Sequence, residues 1–579
     1  MIFYKKIYSL LTVNDRRAAR VQFGLMIIGM VLETLGIGLV IPAIAIMVQG
    51  DAITSQPIIS EVIDYFGISS QEQLIILAIL GLVIVYFIKN IFLAFLTWRQ
   101  ADFTFDIQAK LSQRLFTVYL RRPYVFHLQK NSAELVRNVT SEVAIFTEAL
   151  TATLVLFSEL LVLVGISILL VFIEPLGAFF ISIILGSAAW FIYRVTRQRI
   201  GEWGKLRQHH DALRIQHLQQ GLGGVKDVKL LGREDDFLDE FQKHNSNSAR
   251  MWKLQTTLQN LPRLMFEMLA VIALAILVLT MLNMGRDINS IVPVLGLFAA
   301  AAFRMMPSIT RILVSMQALR YRFSAIDTLY EELNSEAIKK TDENVDSVRF
   351  MNELTLKNIV YHYPSNKAPV LSNISLTIKK GESVGFIGMS GSGKSTLVDV
   401  ILGLLTPSSG TVDVDDLNIQ KNLRGWQSQI GYVSQSIFLT DDTLRRNVAF
   451  GIADNEIDEA AVLRAIQMAQ LDELVSSLPA GIETIVGERG ILLSGGQRQR
   501  IGIARSLYHD PDILVLDEAT SSLDNNTEKV VMDSVTALHG KKTVIIVAHR
   551  LSTVEHCDQI FRMNAGQILE HGSPSFILK

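Results

Sequence analysis

The sequence has few of the residues that mark disulfide-stabilised or nucleic-acid-binding proteins. Cys557 is the only cysteine among 579 residues, so an internal disulfide is excluded, and one thiol beside His556 lacks the ligand spacing of a metal site. The formal net charge is only −2, which gives no overall attraction to nucleic acid. Charged residues make up 19% of the chain and hydrophobic residues 49%, and the hydrophobic excess lies before residue 320. We therefore expect an apolar first half, a globular second half and no nucleic-acid partner.

Six apolar runs in the first half are long enough to cross a bilayer. Crossing takes about 20 mainly apolar residues. The third and fourth runs are separated only by Glu174 and Pro175, which predicts a tight hairpin because proline breaks a helix. The runs lie near 21–48, 74–98, 143–173, 175–195, 264–284 and 288–316. We predict an α-helical transmembrane domain with six spans over 1–333, a linker over 334–349 and a second domain over 350–579.

The distribution of Lys and Arg among the loops predicts the orientation. Basic loops stay in the cytoplasm; Lys and Arg are concentrated at the N-terminus and in the loops after the second and fourth runs, whereas 49–72 contains neither. Both termini are therefore expected in the cytoplasm. The two long basic loops lack the composition of flexible linkers, so we expect the spanning helices to continue into the cytoplasm. They would end in short helices able to touch a cytoplasmic domain, near 132–143 and 216–232.

A phosphate-binding loop is the first chemical motif of the second half. It matches the pattern G-x-x-x-x-G-K-[ST] between a buried strand pattern and a helix pattern. Its backbone N–H groups would close around phosphates. Lys394 would place a charge on the β and γ oxygens, and the Ser395 hydroxyl would coordinate Mg²⁺. The predicted ATP-binding residues of this loop are Gly388, Ser390, Gly391, Ser392, Gly393, Lys394, Ser395 and Thr396.

Later motifs follow in the order expected of a nucleotide hydrolase. Gln435 follows a strand pattern, where it could ligate the metal and sense the γ-phosphate. A buried strand pattern ends at Asp517, which would hold Mg²⁺ through water, and Glu518, which would polarise the attacking water. His549 follows a further strand and could donate to the γ-phosphate. Taken singly, each could be an ordinary loop residue or helix cap. Their order favours an ATPase with Gln435, Glu518 and His549 as catalytic residues.

A second anion cradle is predicted at 493–497, which opens a helix and reads Leu-Ser-Gly-Gly-Gln. Its hydroxyl and backbone amides would face a phosphate. The residues concerned are Ser494, Gly495, Gly496 and Gln497.

With these motifs, residues 350–579 resemble the nucleotide-binding domain of ATP-binding cassette transporters, and the whole chain resembles a half-size type I exporter. The resemblance implies an α/β P-loop NTPase domain joined to six helices, ATP and Mg²⁺ as cofactors, and ATP hydrolysis coupled to transport. It also implies that Tyr363 stacks on adenine and that Asp524 ends a segment crossing the dimer seam. In the family, 493–497 of one subunit acts on the ATP held by the other. A homodimer is therefore expected, and a different partner chain stays open.

Basic residues within the predicted spans indicate the kind of cargo. Ionisable groups there usually face a cavity or one another, and several basic groups would suit an anionic head group such as a pyrophosphate. Internal pairing with carboxylates in the spans is the alternative, and Arg263 with Glu267 has the i,i+4 spacing of a structural pair. The candidate substrate-binding residues are Lys89, Arg263, Arg304 and Arg311.

An amphipathic pattern over 57–66 predicts a short outer helix that either meets lipid tails or only packs. With segments 33–42 and 304–311, it resembles bacterial flippases of lipid-linked oligosaccharides. The resemblance implies ATP-driven movement of a polyprenyl-pyrophosphate-linked glycan, or a related anionic glycolipid, from the inner to the outer leaflet of a bacterial inner membrane. Export of amphipathic drugs, lipids or peptides is the alternative.

Overall fold

The computed structural model divides into two compact units, one formed by Met1–Arg122 with Gln129–Ile338 and the other by Pro123–Leu128 with Lys339–Lys579. The outer helix predicted at 57–66 lies outside the described residues. The structure describes residues 2–40, 71–173, 175–283, 288–334, 349–364, 366, 368–519, 525–548 and 550–579.

The first unit is helical, and its long helices pack along one another. A π-helical turn at Asn138–Glu142 separates two of the helices. The α-helices before residue 335 are α1 (Ile2–Leu10), α2 (Val13–Gly38), α3 (Gln71–Leu120), α4 (Tyr124–Gln129), α5 (Ser132–Arg137), α6 (Val143–Ile173), α7 (Pro175–Gly223), α8 (Val225–Leu231), α9 (Glu234–Asn283), α10 (Ile288–Tyr321) and α11 (Phe323–Asn334).

Three of these helices are much longer than a bilayer is thick. α3 and α9 have 50 residues each and α7 has 49, which corresponds to about 75 Å at 1.5 Å per residue, against a hydrocarbon core of about 30 Å. The helices therefore continue past the predicted spans, as expected. On α3 the side chains of Val83, Phe87 and Ile91 repeat every four residues and are more than half exposed, forming an apolar stripe suited to lipid.

Within the described residues, four helical stretches are long and apolar enough to cross a membrane. They are Val13–Gly38, Glu72–Leu120, Ser132–Phe172 and Glu234–Asn283. The count of six spans remains a prediction.

The structure assigns part of the first long loop to the second unit. In the first long loop, residues 123–128 belong to the second unit, where Val125 packs against an apolar cluster. The predicted interval 132–143 stays in the first unit, because its buried polar side chains, including Asn138 and Glu142, are partnered there. In the second loop, α8 lies inside the predicted interval 216–232 and exposes Leu230 and Leu231.

The second unit contains two sheets flanked by helices. One sheet is antiparallel in the order β2-β1-β4-β5, and the other has the order β10-β9-β3-β8-β7-β6 and is parallel apart from the β9–β10 pair. The strands are β1 (Glu353–Tyr361), β2 (Leu371–Lys379), β3 (Ser383–Gly388), β4 (Ser409–Val414), β5 (Leu417–Asn418), β6 (Ile430–Val433), β7 (Ile513–Asp517), β8 (Thr543–Val547), β9 (Gln559–Asn564) and β10 (Gln567–Gly572).

The α-helices after residue 349 follow the same chain order. They are α12 (Lys394–Ile401), α13 (Leu423–Gln427), α14 (Leu444–Val448), α15 (Glu459–Met468), α16 (Asp472–Ser477), α17 (Gly495–Leu507), α18 (Asn525–Thr536) and α19 (Pro574–Ile577).

The parallel part of the larger sheet positions the candidate site. Every residue of β7 and β8 is buried, as expected for central strands covered on both faces. Strands β3, β8, β7 and β6 are neighbours and run parallel. Their carboxyl ends therefore meet at one edge, where ligands bind in open α/β sheets.

Candidate nucleotide-binding site

The loop between β3 and α12 has the geometry of an anion cradle. Gly393 immediately precedes α12 with φ +98°, a left-handed value that favours glycine. At Gly388 a Cβ would lie 2.3 Å from the carbonyl oxygen of Met563 on β9, so a side chain cannot fit. The backbone can therefore wrap closely, with the N-terminus of α12 pointing into the loop.

Two polar groups of this loop fit an anionic ligand. The Lys394 ammonium donates to the carbonyl oxygens of Gly388 (2.9 Å) and Met389 (3.1 Å), and burial lowers the pKa of Lys394 from its usual value. The Ser392 hydroxyl is buried and, within the described part of the chain, has no hydrogen-bond partner. Phosphate oxygens would satisfy both groups, so the loop fits ATP. Ser395 is exposed at the start of α12, where its hydroxyl could reach Mg²⁺.

The predicted catalytic residues Gln435 and Glu518 are in contact. The Gln435 amide donates to a Glu518 carboxylate oxygen at 2.6 Å, and the Tyr432 hydroxyl donates to Asp517 at 3.5 Å. Glu518 adopts φ +48°, an uncommon value for a residue with a side chain. The adjoining strand ends thus place one amide and two carboxylates together, and both carboxylates act electrostatically on Lys394.

Sequence reasoning missed Asp399, a further carboxyl group of this site. It lies on α12, and burial together with the nearby charge of Asp517 raises its pKa to about 6. The available signal was an acidic residue between two valines, 398 and 400, which are buried in the structure. Acidic residues are seldom buried without a partner.

Tyr363 lies beside the phosphate loop. Its hydroxyl is 3.2 Å from the Thr396 hydroxyl, and its ring packs edge-on against Tyr361 with centroids 5.1 Å apart. The position is compatible with a base stacking nearby.

The 493–497 segment begins α17 and also has a structural role. The Ser494 hydroxyl accepts from the Gln497 backbone N–H at 3.2 Å, and the Gln497 side chain accepts from the Ser494 N–H at 2.7 Å. This reciprocal capping box stabilises the start of the helix. The exposed N-terminus of this 13-residue helix carries the positive end of the helix dipole. His549 and Asp524 lie outside the described residues.

Three of the four candidate substrate-binding residues are ion-paired in the first unit. Lys89 lies 3.6 Å from Glu33, the Arg263 Nε lies 2.9 Å from Glu267, and the Arg311 Nε lies 3.0 Å from Glu159. Ser308 also donates to Glu159, at 2.6 Å. Each of these three side chains thus has a carboxylate partner in the first unit, and the Arg304 side chain lies outside the described residues.

Comparison with known proteins assigns both halves of the chain. Residues 39–305 match the family "ABC transporter transmembrane region", and residues 371–521 match the family "ABC transporter". The ATP-dependent lipid A-core flippase of Pseudoalteromonas translucida is 32% identical over 81% of this chain and 80% of its own length. That of Cupriavidus pinatubonensis is 30% identical over 81% and 80%.

A solved structure shares the complete fold. A bacterial Atm1-family ABC exporter with ATP bound superposes with a TM-score of 0.81, covering 97% of this chain and 96% of that one at 22% identity. At that identity the likeness establishes the fold. The chain therefore belongs to the ABC transporter family, as a half-size, ATP-hydrolysing membrane transporter with the type I exporter fold.

Proposed function

We propose that two copies of this chain use ATP to move an anionic glycolipid, such as a polyprenyl-pyrophosphate-linked glycan, from the inner to the outer leaflet of a bacterial inner membrane. The observation that carries the proposal is the similarity, along about four fifths of both chains, to relatives named ATP-dependent lipid A-core flippases. Both termini and the nucleotide-binding domain would face the cytoplasm, as the basic loops predict.

Each ATP site would be built from two chains. The Lys394 ammonium would bind phosphate oxygens, and Ser395, Gln435 and Asp517 would hold Mg²⁺, directly or through water. When bound, Mg²⁺ neutralises phosphate charge. Glu518 would orient the attacking water. The Gln435 amide, which donates to the Glu518 carboxylate at 2.6 Å, holds that carboxylate in place. His549 of the same chain, with Ser494 and Gly496 of the second copy, would complete the site.

Arg311 is the described residue best suited to an anionic head group. Its side chain is 51% exposed although Glu159, only 9% exposed, binds its Nε. The buried carboxylate therefore orients the guanidinium while part of it stays accessible, and guanidinium groups bind phosphate strongly. Lys89 differs, because its side chain is only 10% exposed and lies beside Glu33.

Transport can be tested with the purified protein in sealed vesicles whose outward-facing cassettes receive external ATP. A fluorescent polyprenyl-pyrophosphate glycan should become protected from a membrane-impermeant quencher only when ATP is present. The Glu518→Gln variant, which keeps the site's shape but removes the carboxylate, should abolish this protection.

Parallel assays distinguish the cargo classes. The names of the relatives favour lipid A-core itself as a second candidate, so it is tested in the same vesicles beside a fluorescent amphipathic drug. Movement of lipid A-core without the polyprenyl glycan would establish the second candidate. Drug movement with neither glycolipid would overturn the proposal.

The Arg311 role has a matched control. Arg311→Gln should raise the glycolipid concentration needed for half-maximal stimulation of ATP hydrolysis by about tenfold, because a charged hydrogen bond is lost. Arg263→Gln removes a comparable ion pair, on a side chain that is 75% exposed, and should change this concentration little. Equal effects of both variants would show Arg311 to be structural.

A further inference from the structure

A cluster of histidines lies where α7 and α9 pack together, away from the nucleotide-binding residues. The two helices form an antiparallel hairpin through α8, since contacts join Gly221 to Phe237, Arg214 to Asn245, and Asp211 to Ser248. This part of the hairpin lies beyond the predicted spans 175–195 and 264–284, so it belongs to the water-exposed extensions.

Three side chains of the cluster bring metal-ligating atoms together. One ligand atom each from His217, Glu240 and His244 lies within 4.8 Å of the other two. The Nε2 of His244 is 3.9 Å from a Glu240 oxygen, and the His217 and His244 rings are nearly parallel with centroids 5.4 Å apart. Ligand atoms about 2.0–2.2 Å from a shared ion are a little over 3 Å apart in a tetrahedral site, so small side-chain rotations would bring the three to one ion.

A fourth residue, His210, orients the central histidine. Its Nδ1 lies 3.0 Å from the Nδ1 of His244, so one of these nitrogens donates to the other. If His244 donates, its Nε2 on the Glu240 side carries the free lone pair that a metal needs. Metal-bound histidines commonly use their second nitrogen in this way, which sets the tautomer and ring orientation.

The burial and the donor atoms of the cluster indicate the kind of ion that it would hold. His244 is only 9% exposed. Two neutral imidazoles and one carboxylate suit a first-row divalent ion such as Zn²⁺, whereas Mg²⁺ prefers oxygen ligands alone. The Glu240 side chain is 50% exposed, which leaves a route from solvent.

We propose that His217, Glu240 and His244 bind a divalent transition-metal ion of the Zn²⁺ type, with His210 as the residue that positions His244. The ion ties α7 to α9 and closes the chain segment 217–240, which contains α8. His217 is eight residues from the start of α8, about 12 Å along a helix. Metal binding therefore restrains the segment 217–240, which carries the exposed Leu230 and Leu231.

Metal binding is measured on the full-length protein, purified with a histidine-free tag and stripped with a chelator. Zn²⁺ should bind at about one ion per chain and raise the unfolding temperature. Co²⁺ in its place should give the visible absorption of a four-coordinate ion. Glu240→Gln and His217→Gln should each weaken Zn²⁺ binding by about tenfold or more and abolish the Co²⁺ absorption. His210→Ala should weaken binding while the absorption is retained.

The control variant is His209→Gln, because His209 is exposed on the same helix and should bind Zn²⁺ as the unchanged protein does. Basal ATP hydrolysis of each variant verifies folding, and Glu240 is exposed enough that its replacement should leave the fold intact. Unchanged Zn²⁺ binding in the His217→Gln/Glu240→Gln double variant would overturn the proposal. Equal weakening by His209→Gln would do the same, because it would indicate scattered surface binding.

Discussion

Asp399, a carboxyl group of the nucleotide-binding site, makes the free energy of unfolding depend on pH. Burial is the main cause of its raised pKa, and the negative charge of Asp517 adds to it. Its pKa of about 6 lies above the value of 3.8 for an unperturbed aspartate, so the folded protein retains this proton where the unfolded chain has lost it. The free energy of unfolding therefore falls as the pH rises from about 4 to about 6, and the loss persists above that window.

Replacing Asp399 should remove this pH dependence. Asp399→Asn should stabilise the nucleotide-free protein at pH 7.5 by about 1–3 kcal/mol, from a shift of roughly two pKa units, and should do so much less at pH 4.5. The measurement is the unfolding temperature at both pH values. Asp533→Asn, on an exposed position of α18, serves as the control. A benefit of equal size at both pH values would contradict the assignment.

Cys557 is a built-in reporter of cassette unfolding. It is 6% exposed, burial raises its pKa to about 12, and its sulfur lies 3.5 Å from where a Cβ on Gly385 of β3 would be. A thiol that is both buried and protonated reacts slowly. We expect a maleimide dye at pH 7.5 to label the native protein hardly at all and the denatured protein fully. Ala480→Cys, which adds an exposed thiol, should label at once. Fast labelling of native Cys557 would contradict the packing.

At the scale of elements, a buried charge cluster joins the helices of the first unit. Arg207 on α7 is fully buried and lies 3.8 Å from Glu142 of the π-helical turn and 3.4 Å from Asp211. Arg137 on α5 also approaches Glu142, at 3.6 Å, and Ser248 on α9 donates to Asp211 at 2.7 Å. The cluster therefore connects three helices and the turn through charged and polar side chains that are almost fully buried.

Breaking this cluster should be costly. Arg207→Met leaves buried carboxylates without their main counter-charge, which typically costs about 3–5 kcal/mol, and should lower the unfolding temperature clearly. Adding Glu142→Gln should recover part of the loss, because one uncompensated charge disappears. Arg199→Met, on an exposed position of the same helix, should change little. If Arg199→Met lowered the unfolding temperature as much as Arg207→Met, loss of the buried charge cluster would not explain the destabilisation.

At the scale of the whole molecule, the proposed pairing of two chains makes a complementation test decisive. Lys394→Ala disables the phosphate loop. Ser494→Asp keeps a good helix cap but places a negative charge where the partner's phosphates would lie. Each variant alone should hydrolyse almost no ATP. Co-expressed, about half of the dimers are mixed and carry one intact site, so hydrolysis should return. No recovery would contradict sites shared between chains.

Pattern alone predicted the parts of the molecule that are local in the chain. Lys394 and Ser395 follow a strand and open a helix, and Asp517 and Glu518 end a strand, so a few neighbouring residues suffice to place them. The strand-end loops meet because the sheet is parallel, and the contact of Gln435 with Glu518 follows from that topology. The apolar runs likewise predicted long helices, since a continuous hydrophobic stretch needs no partner to be recognised.

What only the tertiary structure decided are the contacts between residues far apart in the chain. Glu159 with Arg311, Arg207 with Glu142, and His217 with His244 each depend on which faces of two long helices meet. The tertiary structure also decided that residues 123–128 belong to the second unit, which the sequence did not predict. The sequence shows which charged side chains need a partner, because an unpaired charge is too costly to bury. Which residue becomes that partner is decided by the packing of the helices.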